Sequence, residues 1–481
     1  MELTALLLSL AALPLAKTET VLGVYIFSRH GDRTPKALAP TNLTSLGAEQ
    51  VYASGSYYRD RYVAADASSP ILGLSRDTAA LQQLTVTAPV DNVLQNSAQA
   101  FLQGLYPPAG DFSAQELRND SSVTAPLGGY QYIPVNAVDT TSSSAHSENN
   151  PWLQGGSGCD RAVVSSNNYL SSAEYRATYA QSADFYEGLL PVINSTFGAE
   201  DATFKNAYSI YDYVNVATIH NRTIPSSGLL TPAALSELHL LANVHEWNLA
   251  YNASDEIRAI AGATLAGQVV EALNDTLAGR GKQPVHVQFG AYASFSSFFG
   301  LAGLPAVSDD FTGVVGYAAS MAFELVTNAT VGAAYPDASD VSVRFLFTNG
   351  SAGTTAPAVY PLFGQAETLL PWSRFVAEMG RFAIANTPDW CRVCGVTTGA
   401  CASVDAGSDG NDASSTSDGS AGGSGNGISL PVAGVIGALV TLAVVLGVEA
   451  LVYVLSGMTL VRKSTLAAQA TAAAAGAESK A

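Results

Sequence analysis

Arg29-His30-Gly31-Asp32-Arg33-Thr34-Pro35 brings together the residue types that phosphoryl transfer requires. A histidine ring nitrogen can attack phosphorus and carry the phosphoryl group as an N–P intermediate. Two guanidinium forks can bind phosphate oxygens bidentately and offset the charge that grows in the transition state. Here Arg29 and Arg33 flank His30 on either side, an uncommon local arrangement. Gly31 is expected to let the backbone turn sharply beside the anion. Asp32 could shape the loop, but it would repel a phosphate dianion if it pointed inward. The same residues could instead be a structural histidine with arginines paired to surface carboxylates, so the surrounding elements decide.

Those elements favour chemistry. Val21-Leu-Gly-Val-Tyr-Ile-Phe27 is a continuous apolar, β-branched and aromatic run that reads as a buried strand ending at the motif. Open α/β sheets bind ligands at the carboxyl ends of such strands. Thr44 to Tyr62 has helical spacing, Leu84 to Ala88 reads as a second strand, and Ser97 to Leu105 as the start of a second helix. Strand–helix alternation predicts an α/β sandwich. Residues 107–166 are turn-rich and polar. Segments 172–192 and 231–277 are helical in pattern, and within Ala233 to Ala250 the residues Leu235, Leu238, Leu241, Val244, His245 and Leu249 fall near one face. A mostly helical cap over roughly 107–280 is therefore expected. Strands return at Val285 to Phe289 and Val341 to Phe347, and no internal repeat is visible.

Arg-His-Gly-x-Arg-x-Pro after a Val/Ile/Tyr strand resembles the signature of the histidine acid phosphatases, which include phytases. The resemblance extends over most of residues 21–402. It includes Leu43-Thr-Ser-Leu-Gly47, Asn96-Ser-Ala-Gln-Ala-Phe-Leu-Gln-Gly-Leu-Tyr-Pro-Pro108 and Gly316-Tyr-Ala-Ala-Ser-Met-Ala-Phe-Glu324. The chain looks most similar to fungal membrane-anchored members. The resemblance implies a phosphoglycerate mutase-like fold: a three-layer α/β sandwich with a mainly parallel sheet and an α-helical cap insertion, the site lying between sheet and cap. It also implies His30 as nucleophile, with Arg29 and Arg33 holding phosphate.

The sequence departs from that pattern at three positions. The resemblance implies an Arg four residues before Ser97-Ala98, and Val93 stands there. It implies a distal His-Asp pair after a strand, the His binding phosphate and the Asp protonating the leaving oxygen; Tyr292 and Ala293 occupy those positions. Loss of a positioned general acid costs about 10²–10⁴-fold, and loss of a charged phosphate ligand a comparable amount. A phenol with an ordinary pKa of about 10 is a poor acid at low pH. Residual activity would therefore favour esters with good leaving groups.

Other candidates are weaker. Glu246, beside His245 and Trp247, reads as a helix-face pair in the cap. His286 alternates with Val285 and Val287 and reads as a sheet-edge or surface residue. His146 and His220 read as solvated, and Asp309-Asp310 as a turn or helix N-cap. The sequence contains no Walker-type loop, zinc helix motif or serine nucleophile elbow, so neither a cofactor nor a metal is expected.

The rest of the 481-residue chain speaks of compartment. Charged residues are 13% and hydrophobic ones 48%, where a soluble domain carries about 25% charged. The net charge of −18 argues against nucleic acid as a partner. Residues 1–16 resemble a signal peptide, with Glu2 where a basic residue is usual. Residues 403–427 form a Ser/Gly/Asp-rich linker, 428–457 are expected to span a membrane as one helix, and 458–481, with Arg462-Lys463 near their start, are expected to form a cytoplasmic tail. The expected topology is single-pass type I, with the 17–402 ectodomain extracellular or lumenal. Glycosylation is expected at Asn42, Asn119, Asn194, Asn221, Asn252, Asn274, Asn328 and Asn349. Cys159, Cys391, Cys394 and Cys401 are expected to form two disulfides, with three connectivities open. Two functions remain in view: hydrolysis of a phosphomonoester or another phosphate-bearing small molecule with altered catalysis, or an inactive pseudophosphatase that binds a phosphate ester or a protein at the cell surface.

Overall fold

The computed structural model describes residues 19–138, 158–221, 224, 228–331 and 335–402, all within one compact unit. The expected leader, linker, membrane span and tail lie outside these residues, as does His146. Among the described residues, no helix is long and apolar enough to cross a membrane.

Strand β1 (Thr20–Arg29) is buried along nearly its whole length, as its β-branched and aromatic run requires. Helix α1 (Ser45–Tyr62) starts where the Thr44 side chain accepts from the Gly47 N–H. After β2 (Leu84–Pro89), helix α2 (Asn92–Leu105) is capped by Asp91, which accepts from Val93 and Leu94 N–H. The short strand β3 (Asn136–Val138) precedes five helices: α3 (Asp160–Leu170), α4 (Ala173–Gln181), α5 (Ala183–Ile193), α6 (Ala207–His220) and α7 (Pro232–Ala250). Next come α8 (Ile260–Ala278), β4 (Val285–Gly290), α9 (Tyr292–Leu301), β5 (Ser320–Thr327), β6 (Val341–Thr348), β7 (Ala358–Tyr360), β8 (Leu369–Pro371), α10 (Trp372–Met379) and α11 (Thr387–Cys394).

The sheet runs β8-β6-β5-β1-β4-β2-β3, with β7 added to β6. Strands β1, β4, β2 and β3 are mutually parallel, while β5, β6, β7 and β8 pair antiparallel. The parallel half sets the site, because the carboxyl ends of β1, β4 and β2 lie together there. Arg29 pairs with Gly290, so Tyr292 begins α9 beside the motif.

Three layers enclose two cores. On one face Val24, Ile26, Val86 and Phe289 meet Val51 and Tyr58 of α1 and Phe101 and Leu105 of α2. On the other, Leu22, Tyr25 and Phe27 meet Leu265, Val269 and Leu273 of α8, the phenylalanines of α9, and Phe375 of α10. Glu324 of β5 is fully buried and bonded to Arg61, Tyr62 and Arg344, which ties α1 to the sheet. The expected α/β sandwich is thus present.

Helices α3 to α7 build a separate core around Tyr169, Tyr186, Ile193, Phe204, Ile210, Val214, Leu238 and Leu241. Of the face expected on α7, Leu238, Leu241 and His245 are buried and Leu235, Val244 and Leu249 half-buried. The expected cap span of 107–280 also takes in α8, which packs on the sheet. His286 corrects the expectation of an edge or surface position: β4 lies between β1 and β2 beneath α8, so the ring is buried, with Nε2 3.0 Å from the Gln283 carbonyl. Ser308, not Asp309 or Asp310, caps the short 3₁₀ helix at that site.

The disulfides are Cys159–Cys394 and Cys391–Cys401, one of the three open connectivities. Of the glycosylation candidates, Asn252 is half-buried and the other seven are exposed.

Candidate active site

His30 lies just past β1 and is 1% exposed. Its Nδ1 is 2.7 Å from the Gly31 carbonyl oxygen. A carbonyl only accepts, so Nδ1 carries the proton and the lone pair of the neutral ring is on Nε2. Burial holds the ring's pKa well below its ordinary value, reinforced by Arg29 and Arg33 and, more weakly, by Lys36. The imidazole therefore stays neutral into the acid range. The loop beneath it is fixed by Gly31 N–H donating to Ser97 Oγ at 3.3 Å and Ala318 N–H donating to the His30 carbonyl at 2.8 Å.

Gly31 is needed here for close approach. A Cβ at Gly31 would stand 2.1 Å from the Gly47 carbonyl oxygen, and one at Gly47 would stand 2.0 Å from the Asp32 carbonyl oxygen. The motif loop is thus pressed backbone to backbone on the first turn of α1.

The two arginines sit differently. Arg29 donates to the Val315 carbonyl, and its guanidinium stacks 4.9 Å from the Tyr317 ring and 5.3 Å from the Tyr292 ring. Arg33 forms a fork with Asp212 of α6, at 3.0 Å and 2.9 Å to the two carboxylate oxygens, and lies 3.3 Å from the Tyr208 hydroxyl. Burial opposes its charge, but Tyr208 and Asp212 outweigh burial and raise its pKa. The Nε atoms of both arginines are buried with no hydrogen-bond partner among the described residues. Asp212 was not singled out in the sequence. Its signal there is a carboxylate in register with buried Tyr208 and Val216 on one face of α6.

Among the described residues, Asp32 forms no ion pair with either arginine. Its carboxylate accepts from Thr44 Oγ1 and lies 2.7 Å from His220 Nε2; His220 is exposed, as expected, but the end of α6 also brings its ring against the motif loop. Val93 is buried in the first turn of α2 and offers no charge. Tyr292 opens α9, and its hydroxyl donates to Glu246 Oε2 at 2.6 Å. Its phenol pKa is pushed well above the ordinary value by burial and then by Glu246. Ala293 lines a different cavity, of about 230 Å³, with Arg258 and Ser297. Glu246 does pair with His245, at 2.8 Å, as expected for a helix-face pair. The bond to Tyr292 is the part the helix pattern could not reveal, because the partner lies on another helix.

Between cap and sheet, Arg29, Tyr208, Tyr211, Asp212, His239 and Tyr317 border a cleft of about 330 Å³. A larger cavity, about 560 Å³, lies over the sheet near Tyr25, Gln268 and His286 and includes none of the motif residues. Size alone does not select the candidate site; the convergence of His30 with two guanidinium groups does.

Residues 38–348 match the sequence profile of the histidine phosphatase superfamily (branch 2). The chain is 25% identical over 368 residues to lysosomal acid phosphatase of Xenopus laevis, covering 73% of this chain and 74% of that protein. It is 29% identical over 256 residues to prostatic acid phosphatase of Mus musculus, covering 49% of this chain and 59% of that protein. Among solved structures, Hafnia alvei phytase in its apo form superposes with a TM-score of 0.52 at 14% identity, covering 80% of this chain and 99% of that one. Citrobacter braakii phytase superposes at 0.51 and 13% identity, covering 78% and 99%. The two phytases share the fold at identities too low to carry more. The profile match begins at Leu38, after the Arg29–Pro35 motif, so it is independent of that motif, and by it the chain belongs to the histidine phosphatase superfamily (branch 2).

Proposed function

We propose that the protein hydrolyses phosphomonoesters through a phosphohistidine at His30, with catalysis weakened by Val93 and Asp212 and altered at Tyr292 and Ala293. The observation that carries this reading is the Nδ1–H bond of a buried, neutral His30 to the Gly31 carbonyl, which makes Nε2 the nucleophile. Nε2 attacks phosphorus as the ester oxygen departs, and water then releases inorganic phosphate. Arg29 and Arg33 bind the phosphoryl oxygens. The unpartnered, buried Nε–H groups on both support that role, because an unsatisfied buried donor costs about 1–3 kcal/mol that an anion would recover.

The weakening has physical causes. Asp212 already engages the fork of Arg33 and offsets its charge. Val93 supplies no cation. A family relationship to acid phosphatases, together with a nucleophile held neutral in acid, supports an acid-active enzyme. Two disulfides, exposed sequons and the apolar 428–457 segment support a glycosylated, single-pass type I protein with residues 17–402 outside the cell or in a lumen, like the fungal membrane-anchored forms it resembles. The Asp212 fork also favours a second reading, a pseudophosphatase that binds phosphate esters without turnover.

Hydrolysis of an aryl phosphate across about pH 3–7, spanning the carboxylate and histidine ranges, tests the choice. Turnover in the wild type that disappears in His30→Ala supports the enzyme. Equal rates in the two, with phosphate binding retained, support the pseudophosphatase.

A further inference from the structure

Phosphoester cleavage at His30 needs a proton for the departing oxygen, and Ala293 stands where the family resemblance implies the acid. The cap brings a different carboxyl group to the site. Helix α7 places Glu246 against the first residue of α9, so that the Tyr292 hydroxyl and Glu246 Oε2 are 2.6 Å apart. The Tyr292 ring lies 4.7 Å from the Tyr208 ring and 5.3 Å from the Arg29 guanidinium, and Tyr208 in turn contacts Arg33. The phenol therefore belongs to the aromatic wall that positions both phosphate-binding arginines. The second oxygen of Glu246 is 2.8 Å from His245 Nδ1, while His245 Nε2 is buried without a partner among the described residues. The Glu246 side chain is 14% exposed and Tyr292 is 8% exposed, so bulk water has little access to the pair.

We propose that Tyr292 protonates the leaving oxygen and that Glu246 acts through it as the proton reservoir. This rests on the reading of His30 as the nucleophile. In the reactive form the Glu246 carboxyl is protonated and donates to the phenol oxygen, while the phenol O–H turns to the ester oxygen. As Nε2 bonds to phosphorus and the P–O bond breaks, the phenol proton passes to the leaving oxygen and the carboxyl proton to the phenol. The products are a neutral alcohol, a phosphohistidine and a Glu246 carboxylate. In the second half-reaction water bonds to phosphorus and gives a proton to the phenol oxygen, and the phenol proton returns to Glu246. The N–P electron pair goes back to Nε2, which restores the starting state. Tyr292 alone could not serve. Burial and the neighbouring carboxylate make its anion costly, so proton loss must be matched by proton gain from Glu246. The charged or titratable side chains facing the pair are His245 on α7, Tyr208 on α6, Arg29 from β1, and Lys36, whose Nζ lies 5.9 Å from the Tyr292 ring.

Leaving-group dependence tests this in the full-length protein. Glu246→Gln and Tyr292→Phe should each lower kcat for an alkyl phosphate such as glycerol phosphate by about 10²-fold or more. Para-nitrophenyl phosphate, whose phenolate departs without a proton, should still give a burst of nitrophenol and a trapped phosphohistidine in both variants. That burst also shows that the variant site is folded. An alkyl-to-aryl rate ratio unchanged from wild type, with phosphohistidine formed in every case, overturns the Glu246–Tyr292 assignment and leaves the His30 reading intact. Absence of phosphohistidine from the wild type itself overturns both.

Discussion

A single hydrogen bond at His30 decides which ring nitrogen can attack, and the same burial that fixes it makes stability depend on pH. The ring's folded pKa lies well below the ordinary value of about 6.5. Below that pH the unfolded chain takes up a proton that the folded chain refuses, so the contribution is fully present above about pH 6.5 and is lost as pH falls toward the folded pKa. His286, lowered by burial, adds with the same sign. The urea midpoint should therefore fall between about pH 7 and about pH 5, and His30→Gln should show a shallower fall. At this scale the sequence was legible only where residues are consecutive. Arg29, His30 and Arg33 stand within five residues of one another. Asp212 and Glu246 reach the site from helices whose positions depend on the whole cap.

Elements explain why the motif loop holds its shape. Strand β1 ends at Arg29 in register with Gly290, so the motif and the start of α9 meet without any loop having to bridge them. The loop is then clamped by the contact between Gly31 and Gly47. Gly31→Ala would drive a methyl group into backbone that cannot rotate away, at 2.1 Å from a carbonyl oxygen. Its expected cost is about 1–3 kcal/mol or more in unfolding free energy, measured by chemical denaturation, along with loss of turnover. The long buried strands β1, β2, β4 and β6 were readable from apolar runs. Strands β3, β7 and β8 have three residues each, too few to show a period. The segment 172–192, helical in pattern, forms two helices, α4 and α5, that divide at Ser182, whose hydroxyl turns back to the Thr178 carbonyl. Helix α8 carries an apolar pattern that suits a cap or a sheet layer equally, and only the packing of Leu265, Val269 and Leu273 on β1 settles it.

Across the whole molecule, the Cys159–Cys394 bond joins the first cap helix to α11 over a separation of 235 residues. Spacing could not assign this pairing, since it depends on α3 folding back beside the end of the chain's compact unit. Replacing both cysteines with serine should lower unfolding free energy by about 2–5 kcal/mol, seen as a lower denaturation midpoint. The ten-residue separation of Cys391 and Cys401 closes a much smaller loop and should matter less. The resemblance read from the sequence reached the correct family and sandwich through short contiguous segments: the end of β1, the start of α1 with the loop before it, the body of α2, and the run into the antiparallel strand β5. The chemistry turns on whether His30 takes up phosphate. The most direct measurement is to mix the full-length protein with a phosphorus-labelled aryl phosphate, quench in alkaline denaturant and locate the label. The expected result is label on His30, acid-labile and absent from His30→Ala. No label above that control, in a protein that still unfolds cooperatively, would contradict nucleophilic catalysis by His30.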